Sequence, residues 1–75
     1  MPSLPTLKPN EVIRALERAG FYIHRQKGSH ARLLHENNPS LRVTIPVHNK
    51  DIPKGTLANI IRQTGMTVDE FLSYL

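Results

Sequence analysis

The sequence predicts a small α+β domain with helical segments at both ends and a three-stranded antiparallel sheet between them. Apolar residues recur at helical spacing near both ends, alternate with polar residues in the middle third, and are separated by glycines, prolines and polar clusters. At 75 residues the chain holds a single domain, because two halves would bury too little apolar surface to offset the entropy of ordering them. We therefore treat residues 1–75 as one domain, with residues 1–7 as a flexible N-terminal lead.

The first predicted helix runs from about Pro9 to Ala19. Proline suits the first helical position, since its missing N–H has no partner there. Gly20 follows as a C-terminal cap. The apolar stripe of this helix is Val12, Ile13, Leu16 and Ala19.

From Phe21 the apolar residues recur at every second position instead of at helical spacing. This pattern predicts a first strand that continues until Gly28 interrupts it. Alternation resumes at residues 31–34, pauses at a polar turn cluster over 36–40, and continues strictly over 41–48. Pro46 cannot donate to a sheet ladder, so the third strand is expected at an edge or to end there. In the first strand, Phe21 and Ile23 are predicted on one face and Tyr22, His24 and Gln26 on the other.

Pro53 and Lys54 open a second helix, which Gly65 ends. Thr67 and Glu70 then form a capping box that begins a short third helix. The apolar positions are Leu57, Ile60 and Ile61 in the second helix and Phe71, Leu72 and Leu75 after the capping box.

This order of elements predicts that the helices pack on one face of the sheet and leave the other face free to meet a ligand. The layout is that of a double-stranded-RNA-binding domain (dsRBD-like), α-β-β-β-α with a short extra C-terminal helix.

Charge is concentrated in the middle of the chain. Ten Lys and Arg against six Asp and Glu give a formal net charge of +4, which favours polyanionic partners. The chain has no cysteine, which excludes disulfides, thiolate metal sites and a cysteine nucleophile. No apolar run is long enough for a membrane span or a signal peptide, so we expect a cytoplasmic protein. Between residues 21 and 50 lie Arg25, Lys27, Arg32, Arg42, Lys50 and all four histidines, against Glu36 alone.

The segment from Arg25 to His30 is the most distinctive candidate site. Two cations, Arg25 and Lys27, precede Gly28, Ser29 and the imidazole of His30. Backbone amides beside a glycine can hold phosphate oxygens, and nearby cations stabilise the charge of a phosphoryl transition state. The segment therefore predicts a phosphodiester site.

RNA carries its own nucleophile, the 2′-hydroxyl, so its cleavage requires only proton transfer. Histidine, with an unperturbed pKa of about 6.5, suits that task near neutral pH. The six acids are scattered and no histidine spacing fits a metal site, so we expect neither a metal nor another cofactor. The predicted activity is that of a metal-independent endoribonuclease with His30 as general acid or base.

Each of these residues also has a simpler interpretation. Gly28 and Ser29 alone fit an ordinary turn, and a lone strand histidine is commonly solvated. His48 and Lys50, after the third strand, are candidates for phosphate contacts, although His48 equally fits a loop histidine. Arg32 and Arg42 either face the open side and bind RNA backbone or solvate the sheet surface. The remaining histidines, His24 and His35, are expected to face solvent.

Two other functions share these features: a non-catalytic double-stranded-RNA binder, and a partner-binding or ribosome-associated module. The first usually carries a basic cluster at the start of its last long helix, where this chain has Lys54 alone. Tyr22 could stack on a base, but with two Tyr, two Phe and no Trp the chain lacks an aromatic platform for sequence readout.

Four short blocks follow one another along the chain: Gly28-Ser29-His30, Pro46-x-His48, Ile52-x-x-Gly55-Thr56-Leu57-x-x-Ile60 and Thr67-x-x-Glu70-Phe71. In this order they resemble the HicA (YcfA-like) mRNA interferase toxins, over about Lys8 to the C-terminus. The resemblance implies a dsRBD-like toxin of a type II toxin–antitoxin pair that cuts mRNA without metal, with His30 essential. It also implies a HicB-like protein antitoxin that covers the active site, and a prokaryotic cytoplasm. We expect the free toxin to be a monomer.

Overall fold

The structure, a computed structural model, describes residues 3–75. The three strands form one antiparallel sheet in the order β1-β2-β3. This architecture confirms the α+β class, and the elements follow the predicted dsRBD-like order. They are α1 (Pro9–Arg18), β1 (Phe21–Lys27), β2 (His30–His35), β3 (Asn38–Pro46), α2 (Lys54–Thr64) and α3 (Val68–Leu72).

The core lies between the helices and one face of the sheet. Burial alternates along the two strands that carry most of the core. Ala31 and Leu33 of β2 are fully buried, as are Val43 and Ile45 of β3, whereas the residue between the two members of each pair is exposed. The helices therefore cover one face, as predicted. They contribute Val12, Ala15 and Leu16 from α1, Leu57, Ile60 and Ile61 from α2, and Phe71 from α3.

Both long helices begin where the sequence predicts; α2 ends at the predicted glycine, and α1 ends at Arg18, one residue before the predicted end. Pro9 is the first residue of α1, and Gly65 ends α2 in the left-handed region with φ of 77°. The capping box is present at α3, where Thr67 accepts a hydrogen bond from the Glu70 amide at 3.1 Å. Beyond α3, however, Leu75 is 50% exposed and does not join the core.

The predicted flexible lead includes Met1 and Pro2, which lie outside the described residues. At its other end, Leu7 is 6% exposed and its carbonyl accepts a hydrogen bond from the Ile52 amide at 2.8 Å. Leu4 packs against the same core. These contacts join the segment before α1 to the segment before α2.

The pairing of β1 with β2 shifts by one residue in the middle of β1. Ile23 lies opposite Leu33, whereas Arg25 lies opposite Arg32. His24 is therefore an extra residue on β1, which is the arrangement of a β-bulge. His24 itself is exposed, as expected.

The bulge reverses the alternation in the second half of β1. The sequence pattern predicts Gln26 on the same face as Tyr22, and this is wrong: Gln26 lies opposite Ala31, whose side chain is buried by the helices. Residues directly opposite each other in an antiparallel pair point to the same face. Arg25 and Lys27 consequently lie on the face away from the helices, with Tyr22.

The turn between β2 and β3 is shorter than the predicted polar cluster. It occupies residues 36–37, and β3 already begins at Asn38, which lies opposite His35. The preceding residue of β2, Leu34, lies opposite Arg42, so the pairing skips three residues of β3. The intervening residues 39–41 have no partner of their own on β2, which makes this end of the hairpin irregular.

His35 is half-buried and hydrogen-bonded, so the expectation that it faces solvent is wrong. Its Nδ1 accepts from the Asn37 amide at 3.1 Å, which leaves Nε2 to donate to the Ala19 carbonyl at 3.0 Å. Its ring meets that of Phe21 edge to face, with centroids 4.9 Å apart. His35 thus joins the end of α1 to the sheet.

Gly20 is required where the chain passes from α1 to β1. Its φ is 100°, and a Cβ there would lie 2.8 Å from His35 Nε2. We expect Gly20→Ala to lower the free energy of unfolding by roughly 1–3 kcal/mol, because it adds both left-handed strain and a clash with a fixed ring. Urea unfolding followed by circular dichroism measures the change.

Gly28→Ala is the matched control for that substitution. Gly28 also has a positive φ, 58°, but a Cβ there would meet no atom within 4 Å. It should therefore cost less than Gly20→Ala. Equal losses at the two positions would show that contact with His35 contributes nothing.

Candidate nucleic-acid interface

Gly28 and Ser29 form the two-residue turn of the β1–β2 hairpin, because Lys27 lies directly opposite His30. Gly28 has φ of 58°, and no non-glycine residue in 3–75 has a positive φ. A positive φ at the first central residue alone is typical of a type II′ turn, which favours glycine there. The Ser29 carbonyl accepts from the Val47 amide at 2.6 Å. The turn thereby sets His30 at the start of β2.

Nine residues from the three strands make up the face of the sheet that points away from the helices, hereafter the open face. The register arranges them in three rows across the strands. The rows are Tyr22–Leu34–Arg42, Arg25–Arg32–Thr44 and Lys27–His30–Pro46.

The open face carries cations without any compensating carboxylate. Arg25 and Arg32 lie directly opposite each other, an arrangement that destabilises a sheet when the two charges are alike. Within residues 3–75 the one ion pair joins Lys8 and Asp51, away from this face. The open face is therefore electrostatically suited to a polyanion that would neutralise these side chains.

His30 lies within this basic cluster. A depression of about 330 Å³ in the open face is lined by Arg25, Lys27, His30, Arg32 and Thr44. All five side chains belong to two adjacent rows. An imidazole is thus set beside the positive charges of two arginines and a lysine, groups that can transfer a proton and stabilise negative charge on a phosphate.

His48 and Lys50 do not line this depression. His48 lines a separate one of about 410 Å³, together with Lys8, Pro9 and Asn10 of the α1 N-terminus. Its Nδ1 accepts from the Lys50 amide at 3.2 Å, an interaction typical of a loop histidine. The structure thus brings together four of the predicted site residues, Arg25, Lys27, His30 and Arg32, and places these two elsewhere.

Thr44 is a lining residue that sequence reasoning missed. Alternation along the third strand puts Thr44 on the face opposite Val43 and Ile45, and this was the available signal. Which residue of β2 it meets depends on register, and the structure pairs it with Arg32.

The described residues contain neither a metal-binding cluster nor a membrane-spanning helix. Among residues 3–75, no three His, Cys, Asp or Glu side chains gather in a way that could hold a metal ion. No helix in the same range is long and apolar enough to cross a membrane.

The fold and the open face define the class: a small α+β domain with one sheet face covered by helices and the other basic and solvent-exposed. A family model described as the HicA toxin of bacterial toxin–antitoxin matches residues 9–66. The chain belongs to this toxin family, which confirms the resemblance seen in the sequence. A search of curated proteins finds no match.

The like-charged pair on the open face gives a prediction about stability. Arg25→Gln should raise the free energy of unfolding by roughly 0.2–1 kcal/mol at low salt, because it relieves repulsion from Arg32. The gain should shrink at high salt, where the wild-type repulsion is screened. Urea unfolding at two salt concentrations measures both effects.

Arg14→Gln, on the exposed side of α1, is the control and should give no such salt-dependent gain. Destabilisation by Arg25→Gln at low salt would contradict the assignment of Arg25 and Arg32 as a repelling pair.

Proposed function

We propose that this toxin is a metal-independent endoribonuclease that cleaves mRNA. The observation that carries the proposal is the position of His30 among Arg25, Lys27 and Arg32 on a face without carboxylates. Polyanion binding and proton transfer are then available at the same depression, with no cofactor.

The chemistry follows from the RNA itself. The 2′-oxygen loses its proton and bonds to the adjacent phosphorus, while the bond from phosphorus to the 5′-oxygen breaks and that oxygen gains a proton. His30 carries one of these protons as general base or acid. The cations beside it stabilise the additional negative charge that develops on the phosphoryl oxygens.

The other predicted RNA contacts surround this centre. Gly28 and Ser29 lie in the turn next to His30, where backbone and hydroxyl can approach a phosphate. His48, which lines the second depression, and Lys50 are both exposed, and they bind the backbone of the same RNA further along. This assignment makes them contributors to affinity rather than to the chemical step.

Membership of a toxin family also implies an antitoxin. We propose a HicB-like protein that binds this toxin, acting in a prokaryotic cytoplasm on a toxin that is monomeric when free. A partner that covers the open face would neutralise the repelling arginines and exclude RNA in one step. A negatively charged surface would fit that role best.

The direct test of catalysis is His30→Ala. Loss of a positioned acid or base should reduce RNA cleavage by purified protein by about 10²- to 10⁴-fold. Induced expression in a bacterial host should then arrest growth and deplete mRNA for wild type alone. His24→Ala is the matched control, because His24 is an exposed strand histidine that does not line the depression.

Unchanged cleavage by folded His30→Ala protein would exclude the catalytic assignment. RNA binding without any cleavage by wild type would instead favour a non-catalytic RNA-binding module. Tight protein binding without RNA affinity would favour a partner-binding module.

The contribution of Arg32 to backbone binding is measured by salt dependence. Each phosphate neutralised on a single strand adds about 0.7 to the slope of log affinity against log salt concentration. Arg32→Gln should therefore lower the slope by about that amount in an RNA-binding titration. Arg62→Gln should leave it unchanged, because Arg62 lies on α2 and contacts Asn59; equal slopes for all three proteins would remove Arg32 from the RNA site.

A further inference from the structure

One end of the open face carries an aromatic and an aliphatic side chain beside a single cation. Tyr22 is 43% exposed, the half-buried Leu34 lies directly opposite it, and Arg42 lies opposite Leu34. This row adjoins the row that contains Arg25 and Arg32. An aromatic ring, an aliphatic side chain and a guanidinium thus continue the surface that holds the candidate catalytic centre.

Packing within the domain does not account for the exposed ring of Tyr22. The core lies on the opposite face of the sheet, where Phe21 and Leu33 are buried. Exposing a flat apolar ring to water is unfavourable, and a ligand that covers it would recover that free energy.

The row lies at a distance from His30 that extended RNA can span. Residues on the same face of a strand are two positions apart, about 6.6 Å, so Leu34 lies about 13 Å along β2 from His30. The Arg25–Arg32 row stands between them. A backbone that follows β2 would pass the arginines before it reaches Tyr22.

We propose that the Tyr22–Leu34–Arg42 row is a stacking subsite for an unpaired nucleobase, at some distance along the strand from the bond that is cut. The base stacks on the Tyr22 ring and contacts Leu34, while the Arg42 guanidinium holds its sugar–phosphate backbone. This inference rests on the proposed action on RNA and specifies that the RNA is single-stranded.

The chemistry of the row selects unpaired RNA rather than a particular base. A base inside a duplex is stacked between its neighbours and cannot present its face to Tyr22. Every base has a face that stacks on an aromatic ring, so the subsite tolerates any sequence. One ring adds affinity and fixes register, which a single tyrosine can do without a full aromatic platform.

Intrinsic fluorescence isolates this tyrosine. The chain has two tyrosines and no tryptophan, so Tyr74→Phe leaves Tyr22 as the one tyrosine emitter. The probe is a short, mixed-sequence single-stranded RNA with 2′-O-methyl groups, whose blocked 2′-oxygen prevents cleavage. The RNA should quench the emission of Tyr22, whereas inorganic polyphosphate, which has charge but no bases, should bind without quenching it.

Affinity gives a second, independent readout. Tyr22→Ala should weaken binding of the methylated RNA by about 5- to 150-fold, the effect of removing one stacking aromatic side chain. Tyr22→Phe should retain the affinity, and polyphosphate should bind wild type and Tyr22→Ala alike. Ile23→Ala is the matched control, since Ile23 is 42% exposed on the other face. Tyr22→Leu keeps apolar contact with Leu34 and replaces the alanine variant if that variant unfolds.

The outcomes separate this inference from the proposed function. RNA affinity equal in wild type and Tyr22→Leu, with no quenching, overturns the stacking subsite while His30-dependent cleavage still stands, and the row then belongs to a protein contact. Failure of the wild type to bind either polyanion overturns both. Quenching by RNA alone, with loss of affinity in Tyr22→Leu, supports the subsite.

Discussion

The register of the central strand, β2, is the constraint on which the rest of the structure depends. Ala31 and Leu33 must face the helices, which directs His30, Arg32 and Leu34 away from them. A slip of one residue would bury Arg32 without a partner and expose the core side chains, a change that costs far more than a small domain can tolerate. The same alternation that builds the core therefore builds the open face, so fold and candidate site cannot be changed independently.

The side chains of the open face lower the stability of the free domain. The opposed arginines and the exposed tyrosine make folding of the isolated domain less favourable. A chain of this size has a modest core, so burial of apolar surface offsets only part of that cost. A neutralising ligand removes the repulsion only when it is bound, so the penalty in the free protein becomes part of the driving force for association. The same reasoning applies to both proposed ligands, RNA and an antitoxin, which would then compete for one surface.

Three histidines of the middle third show how environment sets the role of one residue type. His35 is half-buried, with one ring nitrogen accepting from an amide and the other donating to a carbonyl, and it stabilises the junction of α1 and the sheet. His48 accepts a bond from its own loop. His30 lines the basic depression, which is why we propose it, rather than the other two, for proton transfer.

The sequence by itself determined the elements, their order and the covered face, because helical and strand periodicities, proline, glycine and the Thr67 capping box are local signals. It also located the cationic segment that leads to His30. Tertiary structure alone decided the bulge at His24, which turns Arg25 and Lys27 onto the open face, since a bulge depends on how two strands pair. The same cause separates His48 from His30 and joins Tyr22 to Arg42 in one row. Cross-strand register relates residues that lie far apart in the chain, and the periodicity within a single strand does not encode it.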